Sequence, residues 1–186
     1  MSELLEREIK LRFESAAHAR DAILKVGAAP CHPRRLQDDR LLDWPDGRLR
    51  QRRCTLRVRD DGGTAYLTFK GPPQAATMKV REEIETKVED GTLVLRMLDQ
   101  LGLRVWFRYQ KYREEYTRGD VTLTIDETPI GTYVELEGDE SGIVAIAKTM
   151  GRTSPDYVLE SYRDLFATAQ AEQKIRGPNM VFDPRP

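Results

Sequence analysis

The chain is poor in the residues on which much enzyme chemistry is built. Among 186 residues there are two histidines and two cysteines. A histidine zinc site or a Ser-His-Asp triad would have to use His18 or His32. His18 lies in a helical pattern and His32 in a proline-flanked loop, so a surface position is expected for both. Cys31 and Cys54 form no CxxC and no metal-binding series, and read as free thiols. No apolar run approaches the length of a membrane span. Residues 1–13 carry charges where a signal peptide needs an apolar stretch. Charge of one sign is missing too: 30 Lys and Arg face 31 Asp and Glu, a net charge of −1. A nucleic-acid or anionic-membrane binder would carry a basic excess. These absences predict a cytoplasmic protein, monomer or homodimer, with no nucleic-acid and no membrane partner. Its chemistry falls to carboxylates, lysines and arginines.

Charged residues are abundant, at 33% of the chain against about a quarter in ordinary proteins. They alternate with apolar residues in short stretches, which is the pattern of strands. Glu6, Glu8 and Lys10 share one face of segment 4–13, opposite Leu5, Ile9, Leu11 and Phe13. Ser15 can cap a helix that Gly27 ends. Residues 34–44 read as extended and lead to a turn at Pro45-Asp46-Gly47. Segment 55–60 sets Arg57 and Arg59 opposite Leu56 and Val58, and Asp61-Gly62-Gly63 signals a hairpin to a strand at 65–70 carrying Lys70. Segment 79–89 presents Arg81, Glu83, Glu85 and Lys87 on one face. A helix is expected at 91–101, where Val94, Met97, Leu98 and Leu101 form an apolar stripe. Strands follow at 104–118 with Lys111 and Arg113, at 121–127 with Asp126, and at 132–138 with Glu135 and Glu137. Helices at about 141–150, with Ser141 as cap, and at about 157–174 close the domain. Residues 1–176 read as one domain and 177–186 as an irregular tail.

One such strand could simply lie half in water. Eight together can close into a barrel, with helices covering the apolar face and the charges inside. The charges are also sorted: acids lie on the first and last strands, and bases dominate 57–70 and 111–113. Converging carboxylates repel and call for a cation. Oxygen donors without Cys or His select Mg²⁺ or Mn²⁺. Converging Arg and Lys call for an anion, and Arg suits phosphate oxygens. A metal-bound polyphosphate satisfies both. The fold expected is therefore α+β: a closed eight-stranded antiparallel β-barrel with a charged interior and helices packed outside.

The ordered motifs resemble the CYTH superfamily, or triphosphate tunnel metalloenzymes. They begin with the E-x-E-x-K signature at Glu6-Arg7-Glu8-Ile9-Lys10. Leu56-Arg57-Val58-Arg59, Thr68-Phe69-Lys70-Gly71-Pro72 and Arg81-Glu82-Glu83-Ile84-Glu85 follow. Lys111-Tyr112-Arg113, Asp126-Glu127, Glu135-Leu136-Glu137 and Ser161-Tyr162-Arg163-Asp164-Leu165 complete the set. The resemblance implies a tunnel that binds a triphosphate-containing small molecule. It implies metal ligands at Glu6, Glu8, Glu135 and Glu137, with Asp126 less secure. Lys10, Arg57, Arg59, Lys70 and Arg113 would hold phosphate oxygens. Arg81, Glu83 and Glu85 would be either ligands or internal ion-pair partners. Glu6, Glu8, Lys10 and Arg113 would carry the catalysis. Lys111 and Lys87 would support the network. Ser161 and Tyr162 would cap and pack the last helix, and Arg163 or Lys174 would reach the tunnel from it. Three activities fit: hydrolysis of inorganic or organic triphosphate, class IV adenylyl cyclisation of ATP, and plain polyphosphate binding. Bacterial class IV cyclases carry His-Phe shortly before E-x-E-x-K. Residues 1–5 hold no such pair, which places hydrolysis first. The four terminal-strand glutamates place plain binding last.

Overall fold

A computed structural model describes residues 5–74 and 76–183. Eight strands close into one antiparallel barrel: β1 (Leu5–Phe13), β2 (Ala29–Asp43), β3 (Thr55–Asp61), β4 (Thr64–Lys70), β5 (Lys79–Val88), β6 (Arg104–Arg118), β7 (Val121–Thr128) and β8 (Gly131–Glu137). Their order around the ring is β1-β5-β4-β3-β2-β6-β7-β8, with β8 returning to β1. The β3–β4 hairpin turns on Gly62 and Gly63, both at positive φ, as a two-residue turn of this hand requires.

The polarity is inverted relative to an ordinary sheet. Ile9, Leu11 and Phe13 point outward and are buried under α1 (Ala16–Lys25) and α4 (Glu140–Thr149), against Ala19, Ile23, Ile143 and Ile146. Glu8 and Lys10, alternating with them, are buried in the lumen. The helical coat thus removes apolar area from water at about 25 cal/mol per Å², and the charged face is left to line the interior. A third helix, α3 (Gly91–Gln100), covers β3 and β4 and is capped by Asp90. The last helix, α5 (Tyr162–Ala171), packs Phe166 and Tyr162 among Leu41, Phe107, Tyr109 and Tyr133.

Several boundaries differ from the sequence reading. β2 starts at Ala29, running through Pro30 and Pro33, because register shifts beside Pro30 and His32 let the ladder skip the missing donors. A four-residue turn of helix, α2 (Arg48–Gln51), follows Gly47, with Asp43 accepting from the Leu49 and Arg50 amides. Asp139, not Ser141, caps α4; Ser141 instead donates to Asp139. α5 starts at Tyr162, where Ser161 and Asp164 form a capping box. The stretch before it is a strap whose Val158 exchanges two backbone hydrogen bonds with Lys10. The strap sits where β1 has run past β5: among the described residues those two strands pair from Leu5 to Glu8. Met180 is fully buried and bonds through its backbone to Arg108 and Gln110. Among the described residues no helix is long and apolar enough to cross a membrane.

Candidate active site

The barrel encloses a cavity of about 1540 Å³ lined from both ends of the strands. Period-two alternation aims Glu6, Glu8 and Lys10 from β1, Arg57 and Arg59 from β3, and Lys70 from β4 into it. It does the same for Arg81, Glu83 and Glu85 from β5, Lys111 and Arg113 from β6, and Glu135 and Glu137 from β8. Every residue expected to hold phosphate or metal therefore meets here except Asp126. That carboxylate is wholly buried and already fully engaged. Lys111 donates to it at 2.7 Å, Arg113 at 2.6 and 2.7 Å, and the Tyr162 hydroxyl at 2.8 Å.

The interior charges pair across strands. Lys70 lies 2.8 Å from Glu6 and 2.6 Å from Glu83. Arg81 lies 3.2 Å from Glu6. Lys10 bridges Glu8 at 3.0 Å and Glu135 at 3.3 Å, and Arg113 also bonds Glu135. Arg57 reaches Thr68 and Glu85, both at 3.1 Å. Pairing of this kind is what makes so many enclosed charges tolerable.

Two participants escaped the sequence reading. Asp39 on β2 is fully buried, 2.8 Å from Arg59 and 3.3 Å from Arg57. Lys79, at the start of β5, lies 2.5 Å from Glu8. Lys79 shares the parity of Arg81, and that signal could have found it. Asp39 sits between Asp38 and Arg40, where consecutive charges hide which face is which. Of the two α5-region candidates, Arg163 lines the cavity, while Lys174 pairs with Glu172 on the exterior. Lys87 is exposed. His18 and Cys31 are exposed, and Cys54 is buried. His32 stands at the cavity rim 3.1 Å from Glu115.

The electrostatics divide the carboxylates into two groups. Burial works to raise Glu8 and Glu135. Lys10 and Lys79 overcome it at Glu8, and Lys111, Lys10 and Arg113 at Glu135, so both stay well below the usual range. Glu6 is different: burial and the adjacent Glu8 push it up to about 7, with Glu83 adding to the shift. Glu137 is raised as well, although its side chain still reaches solvent: partial loss of hydration inside the tunnel works against the pull of Lys70, with Glu8 and Glu83 adding repulsion. Glu6, Glu8, Glu83, Glu135 and Glu137 thus crowd one region, with too little positive charge for Glu6 and Glu137. Among the described residues no three His, Cys, Asp or Glu side chains already form a metal cage; lysines and arginines stand between the carboxylates. The donor set, all oxygen and short of cation, fits a hard divalent ion. On the basic side, the Arg57 Nε is buried 3.3 Å from the Asp39 carboxylate, without hydrogen-bond geometry to it.

The CYTH domain pattern matches residues 4–158 of this sequence. The chain belongs to the CYTH domain family. A Methanocaldococcus jannaschii protein named as a candidate adenylate cyclase is 28% identical over 173 residues, covering 87% of this chain and 98% of its own. Among solved structures, a Vibrio parahaemolyticus protein, also named as a candidate adenylate cyclase, superposes with a TM-score of 0.77 at 20% identity. That match covers 88% of this chain and 98% of the other. A Hippeastrum protein, described as a candidate adenylyl cyclase with a dominant triphosphatase activity, superposes with a TM-score of 0.62 at 21% identity. It covers 88% of this chain and 96% of its own. The two structural likenesses establish a shared fold.

Proposed function

We propose that this CYTH protein binds a triphosphate in its lumen together with Mg²⁺ or Mn²⁺ and hydrolyses it. The observation that carries the reading is the crowding of Glu6, Glu8, Glu83 and Glu137 in the same enclosed space as Arg57, Arg59, Lys70, Arg81 and Arg113. Glu6, Glu8 and Glu137 would hold the metal, with Glu135 beside them. When bound, such an ion screens phosphate oxygens and lowers the pKa of a coordinated water. Asp126, with its oxygens occupied by Lys111, Arg113 and Tyr162, braces two cations rather than binding metal. Arg57, Arg59 and Lys70 grip the phosphate chain, and Lys10 and Arg113 offset charge that develops on the leaving phosphate. Attack of water on a terminal phosphorus breaks the bridging P–O bond and yields orthophosphate and diphosphate.

A second reading is cyclisation of ATP, favoured by the name of the M. jannaschii relative. The grip is the same, but the ribose 3′-hydroxyl attacks the α-phosphorus and pyrophosphate leaves. The described activity of the Hippeastrum relative favours hydrolysis. The test is a product assay with inorganic triphosphate, ATP and thiamine triphosphate, each with Mg²⁺ and Mn²⁺. Orthophosphate is expected, and cyclic AMP with pyrophosphate would replace the first reading by the second. Glu6→Gln and Glu137→Gln are expected to lower metal-dependent turnover by about 100-fold or more while the native fold is retained, given the roughly 10²–10³-fold effects of single electrostatic groups. Unchanged turnover in both would remove them from the metal site.

A further inference from the structure

The apolar residues of α3 divide between two sides of the helix. Val94, Leu95 and Leu98 pack against Leu42, Val58 and Leu103. Leu93, Met97 and Leu101 recur every four residues along the outer side and are 48%, 59% and 70% exposed. No residue of this helix is buried. Val105, 47% exposed, carries the stripe onto β6. With Leu93, Met97 and the buried Leu42 it lines a surface groove of about 660 Å³. The four exposed side chains leave on the order of 400 Å² of apolar surface in water, the size at which a patch on a lone domain marks an interface.

The stripe is symmetric about Met97. Leu93 and Leu101 lie four residues to either side of it, and Asp90 and Arg104 seven to either side. The outermost pair carries opposite charge. Asp90 caps the helix through Oδ1 alone, which accepts the Thr92 and Leu93 amides, so Oδ2 is available to a cation. Arg104 stands at the other end of the helix, where its Nη1 donates to the Asp99 carbonyl at 2.7 Å. Two copies of α3 laid antiparallel about a twofold axis at Met97 would set Leu93 on the partner's Leu101 and Asp90 on the partner's Arg104. A twofold interface repeats every contact, so both ion pairs form together. Antiparallel packing also places the positive end of each helix dipole beside the negative end of the other. Parallel packing would instead oppose Asp90 to Asp90 and Arg104 to Arg104.

We propose that the outer side of α3 is the contact surface of a symmetric homodimer, with Met97 on the axis and an Asp90–Arg104 pair at each end. A second copy of this chain is the occupant because the patch complements itself: apolar centre against apolar centre, acid against base. An apolar centre of about 400 Å² is half of the roughly 800 Å² that each partner gives to a standard complex, so the association is reversible and concentration-dependent. It is independent of what the tunnel binds, since α3 lies outside the barrel over β3 and β4.

Sedimentation velocity of the full chain between about 1 and 100 μM reads the assembly state. The wild type is expected to pass from monomer to dimer across that range. Met97→Glu opposes two carboxylates on the axis and is expected to raise the dissociation constant about 100-fold or more. Arg104→Glu, facing the partner's Asp90, is expected to raise it about tenfold. Leu24→Glu, at a comparably exposed leucine of α1, is expected to leave it unchanged. The register is read by disulfide formation in a Cys31→Ser background, which removes the exposed native thiol. Under mild oxidation Met97→Cys is expected to link two chains, and Leu101→Cys, which faces the partner's Leu93, is not. A wild type that stays monomeric throughout overturns the proposal and leaves the stripe to a different protein. A dimer that survives Met97→Glu, or one linked through Leu101→Cys and not through Met97→Cys, overturns it as well. Circular dichroism matching the wild type shows that the variants have folded; should Met97→Glu fail to fold, the Met97→Cys link decides.

Discussion

Asp39 has no exposed surface and faces two arginines. Burial works to raise its pKa, but Arg59, Arg57 and Lys111 outweigh it and hold the group below 3.8. An acid with a depressed folded value stabilises above its unfolded value and loses that contribution as pH falls through the folded one. Asp39→Asn is therefore expected to cost about 3–5 kcal/mol at pH 7, because two cations are left in the wall without their anion. The gap to wild type is expected to narrow steadily below about pH 3.8. Urea unfolding at pH 7 and pH 3 checks both statements, and an equal gap at the two values would exclude the ion pair as the cause. Residue-scale legibility follows from the same physics. Glu6, Arg57 and Lys70 were readable because alternation assigns a face. That Asp126 was already spoken for was not readable, because Lys111, Arg113 and Tyr162 come to it from two different elements, β6 and α5.

At the scale of elements, the strands were legible because alternation of charged and apolar residues is strong in each. The connections were less so. Asp139 outcompetes Ser141 as cap because it sits one residue before the first helical turn and accepts the Gly142 amide. The strap at 157–161 reads as helix from composition, yet Val158 is drawn into pairing by the unmatched edge of β1, a tertiary demand invisible locally. The join between β8 and α4 depends on Gly138, at φ +150, where a Cβ would lie 2.6 Å from the Asp120 carbonyl oxygen. Gly138→Ala is expected to destabilise by about 2 kcal/mol or more and to lower turnover, since Glu137 is its neighbour. Gly151→Ala, at positive φ but with open space around it, is the control and is expected to cost about 1 kcal/mol. Thermal unfolding of the pair reads the difference; equal losses would mean that conformation alone, not the clash, matters.

For the whole molecule, sequence alone indicated closure because the acids are split between the first and last strands, and β1 does pair with β8 from Glu8 to Phe13. Which side of α3 meets the barrel was not legible. It depends on where the helix comes to rest on β3 and β4, and that follows from packing rather than from any local pattern.

A hoop yields at its shortest join. Among the described residues the β1–β5 join is four residue pairs long, whereas β3 and β4 hold each other over seven. That seam also carries Glu6, Glu8, Lys79 and Arg81, the side chains that a bound guest would engage from within. An occupied tunnel should therefore be stapled where the empty one breathes. Amide hydrogen exchange at residues 6–8 and 79–82 is expected to be faster than at the β3–β4 ladder in the empty protein. It is expected to slow more than elsewhere once Mg²⁺ and triphosphate are added, and uniform slowing around the ring would show that this seam is no weaker than the rest.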